Sequence, residues 1–145
     1  MKDPQSFVGE HDVLVCVNPA QVDLMWPHVK HFIHAAVWTG IGDDTEESIK
    51  VDLDSGNALL WIVWDGKGLL AAAVTSIYDT PARKVCMIRA CAGREIRRWQ
   101  GFIKDLEEYA RSRNCKLMRI HGRPGWKAVL DGYREPWIAL EKELK

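Results

Sequence analysis

Residues 99–133 read WQGFIKDLEEYARSRNCKLMRIHGRPGWKAVLDGY, and this stretch decides the fold. It carries most of an apolar stripe with alternating spacings of three and four residues, which is typical of the buried face of a helix. The stripe consists of Ile96, Trp99, Ile103, Leu106 and Ala110. Asn114 suits the end of this helix, and residues 116–121 then have the apolar content of a buried strand. Residues 124–130 predict a short helix that Gly132 ends.

The sequence before this stretch predicts a meander of three strands. Residues 57–64 and 69–78 are rich in β-branched and apolar residues, and the Asp-Gly pair between them is a strong hairpin signal. Residues 84–90 predict the next strand. A strand, a helix and a strand over residues 84–121 imply a parallel pair with a right-handed crossover.

The two ends of the chain complete the expected element order. They predict a strand, a long helix, a short helix and a final strand at residues 12–17, 18–38, 44–54 and 137–144. The length favours one domain, over residues 1–145. The expected fold is α/β, with a mixed, twisted sheet of about six strands and helices on both faces.

Composition excludes several classes of protein. Hydrophobic residues make up 47% and charged residues 28% of the 145, which is ordinary for a globular domain. The longest apolar runs, residues 58–64 and 69–74, are far shorter than the ~20 residues of a membrane span, and residues 1–12 have no apolar stretch of signal-peptide type. None of the four cysteines forms a Cys-x-x-Cys pair, which favours reduced thiols in a cytosolic compartment.

Charge is divided unevenly along the chain. Residues 1–82 contain 4 Lys/Arg and 12 Asp/Glu, whereas residues 83–145 contain 16 Lys/Arg and 8 Asp/Glu. This asymmetry indicates either an anionic partner for the basic half or pairing of charges between the two halves. Because no zinc finger, basic zipper or RNA-binding motif is present, nucleic acid is not the expected partner.

The element order and the 99–133 stretch resemble the GNAT superfamily of acyl-CoA-dependent N-acyltransferases, over residues 12–144. The stretch looks like the family's central helix, fifth strand and fourth helix, followed by its Gly-aromatic pair, here Gly132-Tyr133. The chain is also similar to small GNAT-like proteins of tailed phages, in which a Gly/Arg-rich turn and a Trp precede the last helix. Here that segment is residues 122–126. The phage resemblance implies the cytoplasm of the host cell or the virion as the location.

The resemblance implies a loop before the central helix with the pattern Gln/Arg-x-x-Gly-x-Gly/Ala, whose bare backbone approaches the CoA pyrophosphate. The matching segment is residues 94–99, in which Arg94 fits the first position. Arg97 and Trp99 occupy the two positions of the small residues, so their bulk is expected to exclude the cofactor. Many members of the family also have, at the position of Ala128, a Tyr that protonates the departing CoA thiolate. The pattern therefore predicts a degenerate site.

Several arginines are candidates for contact with an anion or with a partner protein. Arg94, Arg97 and Arg98 lie at the predicted start of the central helix, where cations oppose the helix dipole and a bound anion would compensate. Arg89 and Arg123 belong to the same suggestive set. The alternative is a solvated turn in which Glu95 and neighbouring acids pair with these arginines.

Other residues of chemical interest are better explained as structural. His28, His31 and His34 lack the sequence context of a zinc site, so surface histidines and no metal are expected. Cys86 and Cys91 are expected to be buried thiols, because a nucleophile needs a base and only the fold would bring His121 near. The seven tryptophans are expected mostly in the core, although an exposed pair rimmed with arginine would mark an interface.

Two functional hypotheses follow from these residues. The leading one is a non-catalytic interaction module that binds a protein partner or self-assembles, associated with a phage particle or its assembly and requiring no cofactor. The alternative is an acyl-CoA-dependent N-acyltransferase with an arginine-lined site, which would use acetyl-CoA. In that case Glu95, or a water held by the fourth strand, is the candidate base.

Overall fold

The computed structural model describes residues 9–40, 42–122 and 125–145. Its sheet has five strands that lie side by side in sequence order. They are β1 (Val13–Cys16), β2 (Leu59–Trp64), β3 (Leu69–Asp79), β4 (Lys84–Gly93) and β5 (Leu117–Ile120). The first three neighbouring pairs are antiparallel, and β4 and β5 are parallel. The predicted hairpin and crossover are therefore confirmed, in a mixed α/β fold.

Helices pack on both faces of the sheet. The longer ones are α1 (Val22–Trp38), α2 (Glu46–Ser55) and α4 (Ile103–Ser112); α3 (Ile96–Trp99) and α5 (Trp126–Val129) are single turns. Short 3-10 turns, Pro19–Gln21 and Gln100–Phe102, lead into α1 and α4. The α1 and α2 side chains bury one face of the sheet, and α4 with α5 covers the other. No helix among the described residues is long and apolar enough to cross a membrane.

Local capping explains where the second helix begins and ends. Thr45 and Ser48 form a reciprocal capping box, one residue later than the Asp44–Glu47 spacing predicts. Asp44 is drawn away from the cap because it accepts hydrogen bonds from Ser48 and Arg89. Gly56 ends the helix at φ 82°, a left-handed conformation that glycine adopts without strain.

The prediction of a final strand at residues 137–144 is wrong. After β5 the described residues contain no further strand, and the sheet has five strands rather than about six. Trp137 and Ile138 are adjacent, so a strand would turn them to opposite faces and could bury both only between two packed layers. Ile138, Leu140 and Leu144 are each at least 76% exposed. The predicted helix over residues 124–130 is the turn α5, and Pro124 lies outside the described residues.

Candidate functional site

A cleft of about 920 Å³ opens where β4 and β5 separate. The last parallel pair is Ile88–Ile120, after which β4 continues to Gly93 while the chain leaves β5 at His121. The walls come from β3, β4, the end of β5, α5 and the loop between α1 and α2. The topology therefore produces a deep opening beside a strand that has lost its neighbour on one side.

The free edge of β4 points into this opening. The amide of Arg94 donates to the carbonyl of Leu70, with N and O 2.7 Å apart, which makes Gly93–Ala71 a pair without mutual hydrogen bonds. Alternation along the strand then turns the backbone groups of Cys91 and Gly93 away from β3. The backbone N–H and C=O groups of these two residues can form hydrogen bonds with an extended ligand, as they would with a further strand.

A bulge in β4 connects this edge to the helix layer. Val74 faces Ala90 and Thr75 faces Ile88, so Arg89 is the additional residue. Its guanidinium donates to Asp44 at 2.6 Å, to Asp52 at 2.5 Å and to Ser76 at 3.2 Å. The bulge therefore anchors the loop between α1 and α2 at the rim of the cleft.

The electrostatics of this rim follow from the same pairing. Burial raises the pKa of Asp44, but hydrogen bonds from Arg89 and Ser48 outweigh it and hold that pKa below its usual value. Hydrogen bonds from the same guanidinium to Asp44 and Asp52 raise the pKa of Arg89. Asp44 and Arg89 are therefore both charged at neutral pH.

The structure places the Trp99 indole in the core rather than across the cleft. The side chain is 4% exposed, packs with Val63, Leu70 and Ala71, and donates from Nε1 to the carbonyl of Arg94 at 2.8 Å. One edge contributes to the cleft wall, where the ring meets Trp126 at a centroid distance of 6.0 Å. The bulk of Trp99 therefore lies beneath the loop and leaves the opening clear.

The three arginines of the expected loop have different surroundings. Arg94 is exposed and donates to the carbonyl of Leu69 at 3.0 Å. Arg98 is bound to the buried Asp12 carboxylate and to Glu95. Arg97 is exposed on the first turn of α3. Arg123 lies outside the described residues.

Charge pairing between the two halves of the chain is present. Asp12 and Arg98 are 86 residues apart, and the two acids that hold Arg89 also belong to the acidic half. Part of the basic excess is thus neutralised within the fold. This is the second of the two alternatives that the charge asymmetry allows.

The Asp12–Arg98 pair predicts a pH-dependent contribution to stability. Hydrogen bonds from Arg98 and the Gly9 amide lower the pKa of Asp12 against the opposing effect of burial. Because the pKa of Asp12 is lower in the folded protein, its carboxylate stabilises the fold at pH values above the unfolded pKa of about 3.9. That stabilisation is lost as the pH falls through the folded pKa. We expect Asp12→Asn to lower the melting temperature by about 5 °C at neutral pH and by much less near pH 2.5. An equal difference at both pH values would contradict this assignment.

Cys86, Cys91 and His34 have the surroundings of structural side chains. Burial raises the pKa of both Cys86 and Cys91 to about 12, which disfavours a nucleophilic thiolate even though Cys91 lines the cleft. His34 on α1 bonds to Glu46 on α2. Among the described residues no group of three His, Cys, Asp or Glu side chains could hold a metal ion.

The sequence pattern does not bring together two polar side chains that line the cleft, Tyr78 and His121, with Arg119, which bonds to Tyr78. Arg119 on β5 donates to the hydroxyl of Tyr78 on β3 at 2.7 Å, and both strands carry these residues on the same face. His121 follows β5 directly and lines the opening. Alternation along β3 and β5 could have paired Tyr78 with Arg119, whereas the position of His121 depends on where β5 leaves β4.

The architecture is that of GNAT acetyltransferases. An aminoglycoside acetyltransferase from an uncultured soil metagenomic sample superposes with a TM-score of 0.67 at 8% identity, covering 93% of this chain and 97% of that one. The ribosomal-protein-alanine N-acetyltransferase of Brucella melitensis biovar Abortus gives 0.65 at 8% identity, covering 92% and 99%. A predicted acetyltransferase with acetyl-CoA from Clostridium acetobutylicum gives 0.60 at 16% identity, covering 90% and 96%. No protein-family model and no curated sequence matches the chain.

Proposed function

We propose that this chain, which has a GNAT-like fold, binds an acyl-CoA thioester in the cleft and transfers the acyl group to an amine. The observation that carries the proposal is the opening of about 920 Å³ between β4 and β5, bordered by the free edge of β4. A narrow, extended acyl-pantetheine chain fits beside such an edge, because its amides can pair with the backbone of Cys91 and Gly93. The thioester would then lie among apolar walls near the end of β5.

The loop between β4 and α3 is less suited to the nucleotide part of the ligand than the β4 edge is to the acyl-pantetheine part. Glu95, in a left-handed conformation at φ 51°, adds a carboxylate to the loop that a diphosphate would approach. Its pairing with Arg98 at 3.2 Å offsets that charge, and the exposed side chains of Arg94 and Arg97 supply positive charge nearby. Binding of the diphosphate therefore depends more on guanidinium groups than on backbone amides, and we expect a moderate affinity for acyl-CoA.

Acetyl-CoA is expected to raise the melting temperature of the protein. At 100 times its dissociation constant a ligand adds about 2.7 kcal/mol to the free energy of unfolding, which corresponds to about 6–10 °C for a chain of this size. ADP at the same concentration is the control, because it carries the diphosphate without the acyl-pantetheine arm. No shift with millimolar acetyl-CoA, or equal shifts with both compounds, would contradict the proposal.

A pair of matched glycine variants tests whether the ligand occupies the cleft. Gly125 lines the opening, has an ordinary φ of −59°, and a Cβ there would meet nothing within 4 Å. We expect Gly125→Trp to fold and to abolish the acetyl-CoA shift by narrowing the cleft. Gly68, in the β2–β3 turn, has equal space, so Gly68→Trp should leave the shift unchanged. Loss of the shift in both variants, or in neither, would contradict binding in the cleft.

The second candidate is the interaction module that the sequence favours, acting in self-assembly or with a protein of a phage particle. The observation that supports it is the apolar, exposed C-terminal segment, in which Trp137 is 56% and Leu140 88% exposed. Native mass spectrometry of the full chain and of a chain truncated after Tyr133 tests this candidate. An oligomer lost on truncation would support it, and a monomer in both cases would remove it.

A further inference from the structure

His121 occupies the point at which the cleft opens. It directly follows Ile120, the last β5 residue paired with β4, and its side chain lines the opening. Its Nε2 atom is buried and has no hydrogen-bond partner among the described residues. A buried polar atom without a partner costs free energy, so such an atom in a binding cleft indicates that a ligand supplies the missing bond.

Among the residues that the structure describes, the other ionisable groups of the cleft are already engaged or unsuited to proton transfer. Asp44 is held by Arg89, and the Tyr78 hydroxyl accepts a hydrogen bond from Arg119. Burial raises the pKa of the Cys91 thiol to about 12. Asp43, on the loop between α1 and α2, is exposed to solvent. This comparison leaves the imidazole of His121 as the unengaged group inside the opening.

A tryptophan of the C-terminal segment contacts the imidazole. The rings of His121 and Trp137 meet edge to face, with centroids 6.1 Å apart and planes inclined at 78°. This contact orients the ring, while Nε2 itself is buried. A buried imidazole nitrogen beside the opening is placed to transfer a proton during a reaction.

We propose that Nε2 of His121 carries the proton in the acyl transfer, an inference that rests on the proposed function. In the tautomer with hydrogen on Nδ1, Nε2 accepts a proton from the attacking neutral amine as the carbon–nitrogen bond forms. The resulting imidazolium gives the same proton to the thioester sulfur as the carbon–sulfur bond breaks. The products are an amide and a free thiol, and His121 returns to its starting state.

The tautomer and the ligand contact are tested together by nitrogen NMR of protein with ¹⁵N-labelled histidine. His121→Gln assigns the His121 signals. We expect an unprotonated Nε2 in the free protein, and a shift of that signal on addition of acetyl-CoA that the exposed His28 does not show. A proton on Nε2, or an unmoved His121 signal in protein whose melting temperature acetyl-CoA raises, would overturn the inference alone. Absence of any acetyl-CoA binding would instead overturn the proposed function, and the inference with it.

Turnover provides the second readout. With acetyl-CoA and n-butylamine as probes, we expect His121→Gln to release thiol about 100-fold more slowly than the wild type, since a general base contributes roughly 10²–10⁴. Acetyl-CoA should still raise the melting temperature of this variant, which shows that the cleft still binds the ligand. The matched control His28→Gln changes an exposed histidine on α1 and should retain the wild-type rate. Thiol release by His121→Gln at the wild-type rate would overturn the proposal.

Discussion

Replacement of Gly93 by alanine is expected to lower the free energy of unfolding by about 3 kcal/mol, the upper end of typical overpacking losses. A Cβ on Gly93 would lie 2.5 Å from both the Ala71 Cβ and the Leu70 carbonyl oxygen, and 2.8 Å from the Ala71 Cα. Two of these three atoms belong to the β3 backbone, which cannot move without separating the strands. Urea unfolding of Gly93→Ala measures the loss.

The matched control is Gly68→Ala, because a Cβ on Gly68 meets nothing within 4 Å. We expect that variant to lie within about 0.5 kcal/mol of the wild type, as surface substitutions usually do. Equal stabilities of the two variants would mean that β3 and β4 are farther apart at Gly93 than described. The free edge beside the cleft would then also be misplaced.

Truncation of the Trp99 side chain is expected to cost about 3–5 kcal/mol, the range for large aromatic side chains in cores. The indole is 4% exposed, fills the space between Val63, Leu70 and Ala71, and bonds to the carbonyl of Arg94. Trp99→Ala therefore removes packing and leaves that carbonyl without its donor. Thermal and urea unfolding of the variant measure both effects together.

Trp99→Phe separates the two contributions. It retains an aromatic ring in the core but has no N–H for the Arg94 carbonyl, so we expect a smaller loss of about 1–2 kcal/mol. The outcome also tests the position of the indole. If Trp99 instead stood across the cleft, Trp99→Ala would barely change stability and would strengthen acetyl-CoA binding, which would contradict the described structure.

The case of Trp99 shows how far the sequence predicts this site. The spacing of the helix stripe places Trp99 on the buried face, and the structure agrees with that periodicity. The GNAT loop pattern that the sequence resembles places the same residue in the cofactor path, whereas the structure turns the indole into the core. A motif alignment specifies a position along the chain, whereas the direction of a side chain follows from the face it must bury.

The crossover was predictable because its elements are local, whereas the pairing of charges was not. The Asp12–Arg98 contact joins residues 86 positions apart, and the Arg89 contacts span 37 and 45 positions. The spacing of residues within one helix or strand does not predict contacts between residues so far apart in the sequence. The place of His121 beside the opening is not predictable for the same reason, since it depends on where β5 leaves β4.

The wrong prediction of a strand at the end of the chain shows that strand propensity is not sufficient without a pairing partner. Residues around Trp137 have the composition of a strand, but the segment forms no pairing with β5. A strand is stable only beside another strand and over a buried face, and the exposed Ile138 and Leu140 have neither.

Amide NMR of the protein titrated with acetyl-CoA shows whether the ligand lies along the free edge of β4. We expect the largest shifts at the amides of Cys91 and Gly93, whose backbone faces the opening, and at Gly125 in the opposite wall. ADP should leave the Cys91 amide in place. Shifts confined to the exposed loop around Arg97, with Cys91 and Gly93 unmoved, would mean that the basic surface binds the nucleotide and that the cleft between β4 and β5 is not an acyl-CoA site.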